Sequence, residues 1–294
     1  MGCSLCPRGC LVDRKAGQIG YCGMTEEIYA ARAALHMWEE PCLSGEEGSG
    51  TVFFSGCTLQ CVFCQNGAIA DGSVGKAVSI ERLAEIFLEL QEKGANNINL
   101  VTPTHYANQI KKALEKSKKE GLRIPIVYNT SGYETVEAIR GLEEYVDIYL
   151  PDFKYISKDL SLRYSNAVDY FERASAALEE MVRQKKEILY DRRGRMKQGV
   201  IVRHLLLPGC LEDAKAVIRY LYQTYGNGIV ISILNQYTPL PKTANIPELN
   251  RKVTVKEYDE LVDYAIALGV ENGLIQEGDT AEESFIPQFD FEGI

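Results

Sequence analysis

The chain has 294 residues, 46% hydrophobic and 25% charged, a composition that can bury a core and that excludes disordered and fibrous classes. Its 32 basic and 41 acidic residues give a formal charge of −9, so there is no basic face for a nucleic-acid backbone; stretches such as KKALEKSKK alternate with Glu on a solvated helix. No apolar run reaches the roughly 18 residues needed to cross a bilayer, and no secretory core opens the chain, so the expectation is a cytosolic protein without a membrane partner, whose nine cysteines serve as metal ligands or core rather than disulfides.

In chain order, Cys3, Cys6, Cys10 and Cys22 come first, separated by two, three and eleven residues in a polar, Gly-rich segment with too few apolar residues to fold unaided. Four soft ligands suit tetrahedral zinc or a fully ligated iron–sulfur centre, so a second metal is expected there, with Cys42 or His36 as a substitute ligand. The plain alternative is a tail without metal. Cys210 reads as an ordinary loop thiol.

After residue 50, short apolar runs alternate with amphipathic segments. TVFFSG is a strand ending just before Cys57. Ser79 caps a helix whose Ile80, Leu83, Ala84, Phe87 and Leu90 share a face, and Gly94 stops it. The strand INLV precedes a helix carrying Ile110, Ala113 and Leu114, which ends near Gly121. The strand IPIVY, a helix with Val136, Ile139 and Leu142, and the strand VDIYL follow. A long helical region over 164–184 leads to KEILYDRRGRMKQGVIVRHLLL, a hairpin arm running into a fifth core strand. A helix with Ala214, Val217, Ile218 and Leu221 precedes the sixth strand, GIVISIL. Thr254 and Glu257 form a capping box for a last helix burying Leu261, Val262 and Ala265, with Gly269 past its end and GLIQ as one more strand.

Nearly all-apolar strands alternating with helices predict an α/β fold with a parallel sheet, curled into a partial (β/α)6 TIM-like barrel. A doubly wound open sheet competes with it. The expected division is a cysteine-rich metal-binding extension over 1–48 and the barrel with a C-terminal closing segment over 49–294. On such a sheet, active sites gather at the carboxyl ends of the strands. Standing there are Thr102, Thr104 and His105, then Asn129, Thr130 and Ser131, Asp152 and Lys154, Arg203 and His204, and Asn235 and Gln236.

The stretch CTLQCVFC places Cys57, Cys61 and Cys64 on one loop after the first of these strands. Three thiolates can hold three irons of a [4Fe-4S] cubane and leave the fourth iron open to a ligand from outside the protein. Phe63 shields the last thiol and Gly56 permits close backbone approach. A zinc knuckle with a distant fourth ligand, or reduced core cysteines, are the bland alternatives.

Cys57, Cys61, Phe63 and Cys64 match the C-x3-C-x-aromatic-C signature, and with it the chain resembles the radical S-adenosylmethionine superfamily. GSGTVFFSGCTLQCVFCQN, NLVTPTHY, YNTSGY, VDIYLPDFKY, VRHLLLPG and LNQYTP look like its pyruvate formate-lyase activating enzyme-like branch across essentially the whole chain. The resemblance implies a partial (β/α)6 barrel in which the methionine amine and carboxylate of S-adenosylmethionine chelate the open iron. Reductive cleavage of the cofactor then yields a 5′-deoxyadenosyl radical that takes hydrogen from a protein (a glycyl radical enzyme), a peptide or a small molecule. It also implies an electron donor such as flavodoxin or ferredoxin.

Thr102 to His105 occupy the slot where the superfamily has Gly-Gly-Glu, with Thr102 and Thr104 as the amine-binding candidates and His105 as one for the substrate. Asn129 and Ser131 fit the ribose position, Asp152 and Lys154 the D-x-K of activating enzymes, and Arg203 and His204 the polar pair of the fifth strand. Gln236 completes the cofactor candidates. The expected catalytic groups are His105, Asp152, Lys154 and His204. The rival is a non-catalytic iron–sulfur electron carrier or redox sensor, which has no use for a polar ring above its cluster.

Overall fold

A computed structural model describes residues 2–276 and 287–294. In chain order the elements are β1 (Ile28–His36), α1 (Pro41–Ser44), β2 (Ser49–Phe54), α2 (Gly67–Ala70), β3 (Lys76–Val78), α3 (Ile80–Glu92), β4 (Ile98–Val101), α4 (Ala107–Glu120), β5 (Ile126–Thr130) and α5 (Val136–Arg140). The second half adds β6 (Ile148–Pro151), α6 (Lys158–Ser165), α7 (Tyr170–Gln184), β7 (Leu189–Tyr190), β8 (Met196–Leu205), α8 (Leu211–Tyr225), β9 (Val230–Leu234), α9 (Val255–Leu268) and β10 (Gly273–Ile275). Among the described residues, no helix is long and apolar enough to cross a membrane.

The sheet runs β10-β9-β8-β6-β5-β4-β2-β1-β3, with β7 paired to β8. From β2 to β10 every neighbour is parallel; β1 is antiparallel to β2 and β3, and β7 to β8. The path has two ends, so the barrel is partial, as its alternating strands and helices predict.

Each strand sends alternate side chains to opposite faces. Val52, Phe54, Ile98, Leu100 and Ile126 pack outward with Leu83, Phe87, Ile110 and Leu114 of α3 and α4. Tyr128, Tyr149, Val200, Val202, Ile231 and Ile233 share a second outer core with Ala177, Val217 and Leu261 of α7, α8 and α9. The opposite row, Val127, Ile148, Leu150, Ile201 and Val230, closes inside the barrel on Leu43 of α1, a fully buried side chain. The link between β1 and β2 therefore plugs the barrel. Two residues further along each strand the inner row turns polar, with Asn129, Asp152, Arg203 and Ser232.

Three differences from the expected elements have physical causes. The Ala-rich run IYAARAALH has weak strand propensity, yet it is β1, because it is paired on both sides: β2 on one, and β3 plus backbone bonds from Phe291 N to Ala31 O and Ala33 N to Glu292 O on the other. The boundary expected at residue 48 thus falls between two paired strands. The helical region expected over 164–184 is split, because Asn166 takes the left-handed conformation (φ 47°) and ends α6. The helix carrying Val136 and Ile139 stops at Arg140, leaving Leu142 buried in a following turn.

Ser79, Thr135, Ser157 and Thr254 cap their helices as acceptors from Arg82, Ala138, Leu160 and Glu257 amides, and Thr254 with Glu257 forms the expected box.

Candidate functional site

A cavity of about 500 Å3 opens at the carboxyl ends of the strands. One wall is the loop after β2, with Cys57, Cys61, Phe63 and Cys64; the floor is Asn129, Asp152 and Arg203; His36, Phe53, Leu205 and Leu234 add an aromatic and aliphatic side. Thr102, Ser131, Lys154 and Gln236 also line it.

The cysteine loop is held from several directions. Val62 N donates to Tyr164 O (2.9 Å), Leu59 N to Cys57 Sγ (3.4 Å) and Ser165 Oγ to Cys61 Sγ (3.0 Å). Phe63, 4% exposed, sits edge-on to Tyr155 and Tyr164 with centroids 6.4 Å away. Burial pushes the Cys61 thiol up to about 11 and the Cys64 thiol up to about 12, and the neighbouring Cys57 adds to both. Thiols in such a setting ionise only when a cation joins them. Three convergent thiols beside open space, with no fourth cysteine among the described lining residues, fit a metal cluster that keeps one ligand position free.

Below the thiols, charges alternate. Lys154 Nζ meets Asp152 Oδ2 at 2.7 Å, Asp152 Oδ1 meets Arg203 Nε at 2.9 Å, and Arg203 Nη1 meets Glu39 Oε1 at 2.9 Å. Asn129 accepts from Arg203 Nη2 (2.7 Å) and donates to Glu39 Oε2 (3.2 Å), which also accepts from Asn99 (2.7 Å). Burial alone would raise Asp152, but Arg203 and Lys154 hold it below the usual carboxylate range. Burial would likewise depress Lys154, and the Asp152 carboxylate holds it above its ordinary value. Both remain charged, held as a paired network at the base of the cavity.

Glu39 is a floor residue that the local sequence does not signal, since WEEP reads as a solvated turn. Its neighbour Glu40 accepts from Ser232 Oγ (2.9 Å) and is raised to about 7 by burial.

Of the slot after β4, Thr102 reaches the cavity, in a left-handed conformation (φ 58°) that is costly for a β-branched residue. Thr104 does not; its hydroxyl donates to buried Glu134 Oε1 (2.5 Å), which also accepts from Thr130. His105 and His204, expected at the catalytic centre, are not brought to it. His105 Nε2 donates to Ser55 O and His204 Nδ1 to Phe153 O, each at 2.8 Å, and burial lowers them to about 3 and 4, so both imidazoles are neutral. The reason for His204 is the strand period of two: Arg203 faces inward, and His204 therefore faces the helices. Gln236 reaches the cavity and accepts from Gln276 Nε2 (3.0 Å).

The amino-terminal thiols share one corner. A Cβ on Gly20 would lie 3.6 Å from Cys22 Sγ and 3.7 Å from Cys10 Sγ, and Tyr21 N donates to Cys10 Sγ (3.2 Å). Burial raises Cys6 to about 12, with the nearby Glu134, Cys22 and Cys10 charges adding; Cys22 is raised by burial, with Cys3 and Cys10 contributing. Among the described residues, no group of three or more His, Cys, Asp or Glu side chains meets the spacing of a metal-ion site. This corner docks on the cysteine loop, with Cys57 N donating to Cys22 O (3.2 Å) and Gln60 Nε2 to Tyr21 O (2.7 Å).

Residues 51–194 match the family model described as Radical SAM superfamily. An uncharacterized protein of Methanocaldococcus jannaschii is 29% identical over 272 residues, which are 90% of this chain and 74% of that one. HydG, a maturase of the [FeFe]-hydrogenase, is similar in fold with a TM-score of 0.52 at 16% identity over 78% of this chain and 52% of its own. Streptococcus suis SuiB bound to S-adenosylmethionine gives 0.51 at 14% identity over 75% and 48%, and SuiB bound to the precursor peptide SuiA gives 0.50 at 12% identity over 75% and 46%. The chain spans about half the length of these solved structures, and likeness at such identity speaks to the fold alone.

Proposed function

We propose that this chain, which carries a radical S-adenosylmethionine superfamily domain over residues 51–194, is an enzyme that cleaves S-adenosylmethionine reductively and takes a hydrogen atom from a second substrate. One observation carries the reading: Cys57, Cys61 and Cys64 open onto the same cavity as Asn129, Asp152, Lys154 and Arg203. An electron carrier needs the thiols but not the paired charges below them. Cys57, Cys61 and Cys64 would hold a [4Fe-4S] cluster, which would supply the electron for cleaving a carbon–sulfur bond of S-adenosylmethionine.

The chain's own residues bind and orient. Arg203 and Lys154 offer cationic surface to the cofactor carboxylate, while Asp152 keeps both in place. Asn129 and Ser131, which line the cavity, would lie against the ribose. With Thr104 and its hydroxyl turned to Glu134, the amine is left to Thr102 and the backbone around it. His36, Phe53, Leu205 and Leu234 line one side of the cavity and would keep water from the reacting atoms there.

Motif likeness to the glycyl-radical activating branch points to a protein or peptide substrate, and SuiB is a neighbour solved with its precursor peptide. The electron donor is a flavodoxin or ferredoxin. Cys3, Cys6, Cys10 and Cys22 would hold a second metal, zinc or an iron–sulfur centre; the reading rests on four partly buried thiols in one corner, which would have to draw closer to reach the spacing of a metal-ion site.

The test is anaerobic reconstitution with iron and sulfide, then dithionite and S-adenosylmethionine. 5′-Deoxyadenosine and methionine are expected; a cluster-loaded sample that makes neither overturns the reading. Replacing Cys57, Cys61 or Cys64 by Ser abolishes this product and the paramagnetic signal that S-adenosylmethionine perturbs, whereas replacing Cys6 and Cys10 lowers only the second metal's stoichiometry.

A further inference from the structure

Arg8, between Cys6 and Cys10, is placed where neither thiol set needs it. Its guanidinium donates to Thr58 O (2.9 Å) and Leu59 O (3.5 Å) in the cysteine loop, and to Ser165 O (3.0 Å) and Asn166 O at the end of α6. It lies 3.8 Å over the Tyr21 ring and 5.1 Å from the Tyr133 ring. A planar fork with five donors can join two loops in this way; a lysine ammonium offers no such plane.

The fork ties the loop that carries Cys61 to the end of α6 that carries the hydrogen-bond partner of Cys61. Ser165 Oγ lies 3.0 Å from Cys61 Sγ and 2.8 Å from Tyr155 OH. A cysteine that ligates iron has lost its proton, so the Ser165 hydroxyl must be the donor to sulfur. Its oxygen then accepts from Tyr155, a fully buried phenol with no other acceptor among the described residues. The relay therefore has one direction, Tyr155 to Ser165 to Cys61.

Resting on the proposed function, we propose that Ser165 is a positioning residue that raises the reduction potential of the cluster held by Cys61, with Tyr155 fixing its hydroxyl and Arg8 fixing its backbone. Added negative charge spreads onto the sulfurs when a cluster is reduced. A hydroxyl donating to one sulfur thus stabilises the reduced form more than the oxidised one. Arg8 lies in the amino-terminal segment, so that segment governs the potential through the backbone.

The experiment is a redox titration of the full-length reconstituted protein with dithionite as the electron source. It follows the paramagnetic signal that S-adenosylmethionine perturbs, which separates this centre from any other. Ser165→Ala is expected to shift the midpoint to a more negative potential. Ser165→Thr, which keeps the hydroxyl, should stay near the parent, while Tyr155→Phe and Arg8→Gln should shift in the direction of Ser165→Ala by less. A fully loaded Ser165→Ala protein with the parent's midpoint overturns the proposal, and so does a Ser165→Thr shift as large as that of Ser165→Ala. If Ser165→Ala takes up no iron, Tyr155→Phe carries the measurement, and an unchanged midpoint there is equally fatal. Parent protein that takes up no cluster, or whose signal ignores S-adenosylmethionine, overturns instead the function on which this rests.

Discussion

Glu134 is an acid with nowhere to put its charge. It is 1% exposed, two threonine hydroxyls bond one of its oxygens, and burial raises it from 4.5 to about 7. Between those values the native state holds a proton that the unfolded chain has released, so stability falls as pH rises through this window and is level above it. The loss is on the order of 3 kcal/mol. Glu134→Gln removes the titration while keeping the acceptor, so its melting temperature should gain on the parent's from pH 5 to pH 8; a gap that stays constant with pH rejects this account. Asp152 contributes in the opposite sense, since its lowered value adds stability that is lost in acid. Single residues were legible where chemistry and spacing coincide: the three loop thiols, Asn129, Asp152, Lys154 and Arg203 all reach the cavity. Glu39 and Glu134 carry no local signal, because an acidic residue outside helix and strand looks solvated until the partners around it are known.

At the scale of elements, Gly56 joins the strand to the cysteine loop. It has φ 86°, and a Cβ there would lie 2.3 Å from Met24 Cγ and 2.6 Å from Cys22 O. The close approach it permits is thus that of the amino-terminal segment. Gly56→Ala should cost about 1–3 kcal/mol for the strained backbone, with the clash in addition. It should also free the docked segment, measurable as faster amide exchange at residues 20–24 and 57–64. Protection equal to the parent's would refute it. The caps at Ser79 and Thr254 are legible because Ser, Thr and Glu act there within three residues of themselves; Thr254→Ala should cost about 1 kcal/mol in chemical denaturation. The break at Asn166 and the strand IYAARAALH are not, since both depend on what packs against them.

Across the whole molecule, the open sheet is finished at one edge by distant chain. Phe291 and Glu292 bond to β1, Arg32 pairs with Asp290 and Glu292, and Phe289 sits edge-on to Phe53 at 5.6 Å. Removing residues 287–294 strips β1 of those partners and uncovers Phe53 in the cavity wall. The shortened protein should melt lower and associate through the bared edge, seen as a rise in mass by light scattering; a monomer with the parent's melting point contradicts this. From sequence alone came the α/β class, the order of most strands and helices and the three-thiol loop, because periodicity, caps and ligand spacing are written in residues near one another. Tertiary structure decided which way each strand turns its alternate residues, sending Arg203 inward and His204 outward. It also put Leu43 and Glu39 inside the barrel and set Arg8 across two loops. These depend on contacts between residues far apart in the chain, and no local pattern encodes which distant surfaces will meet.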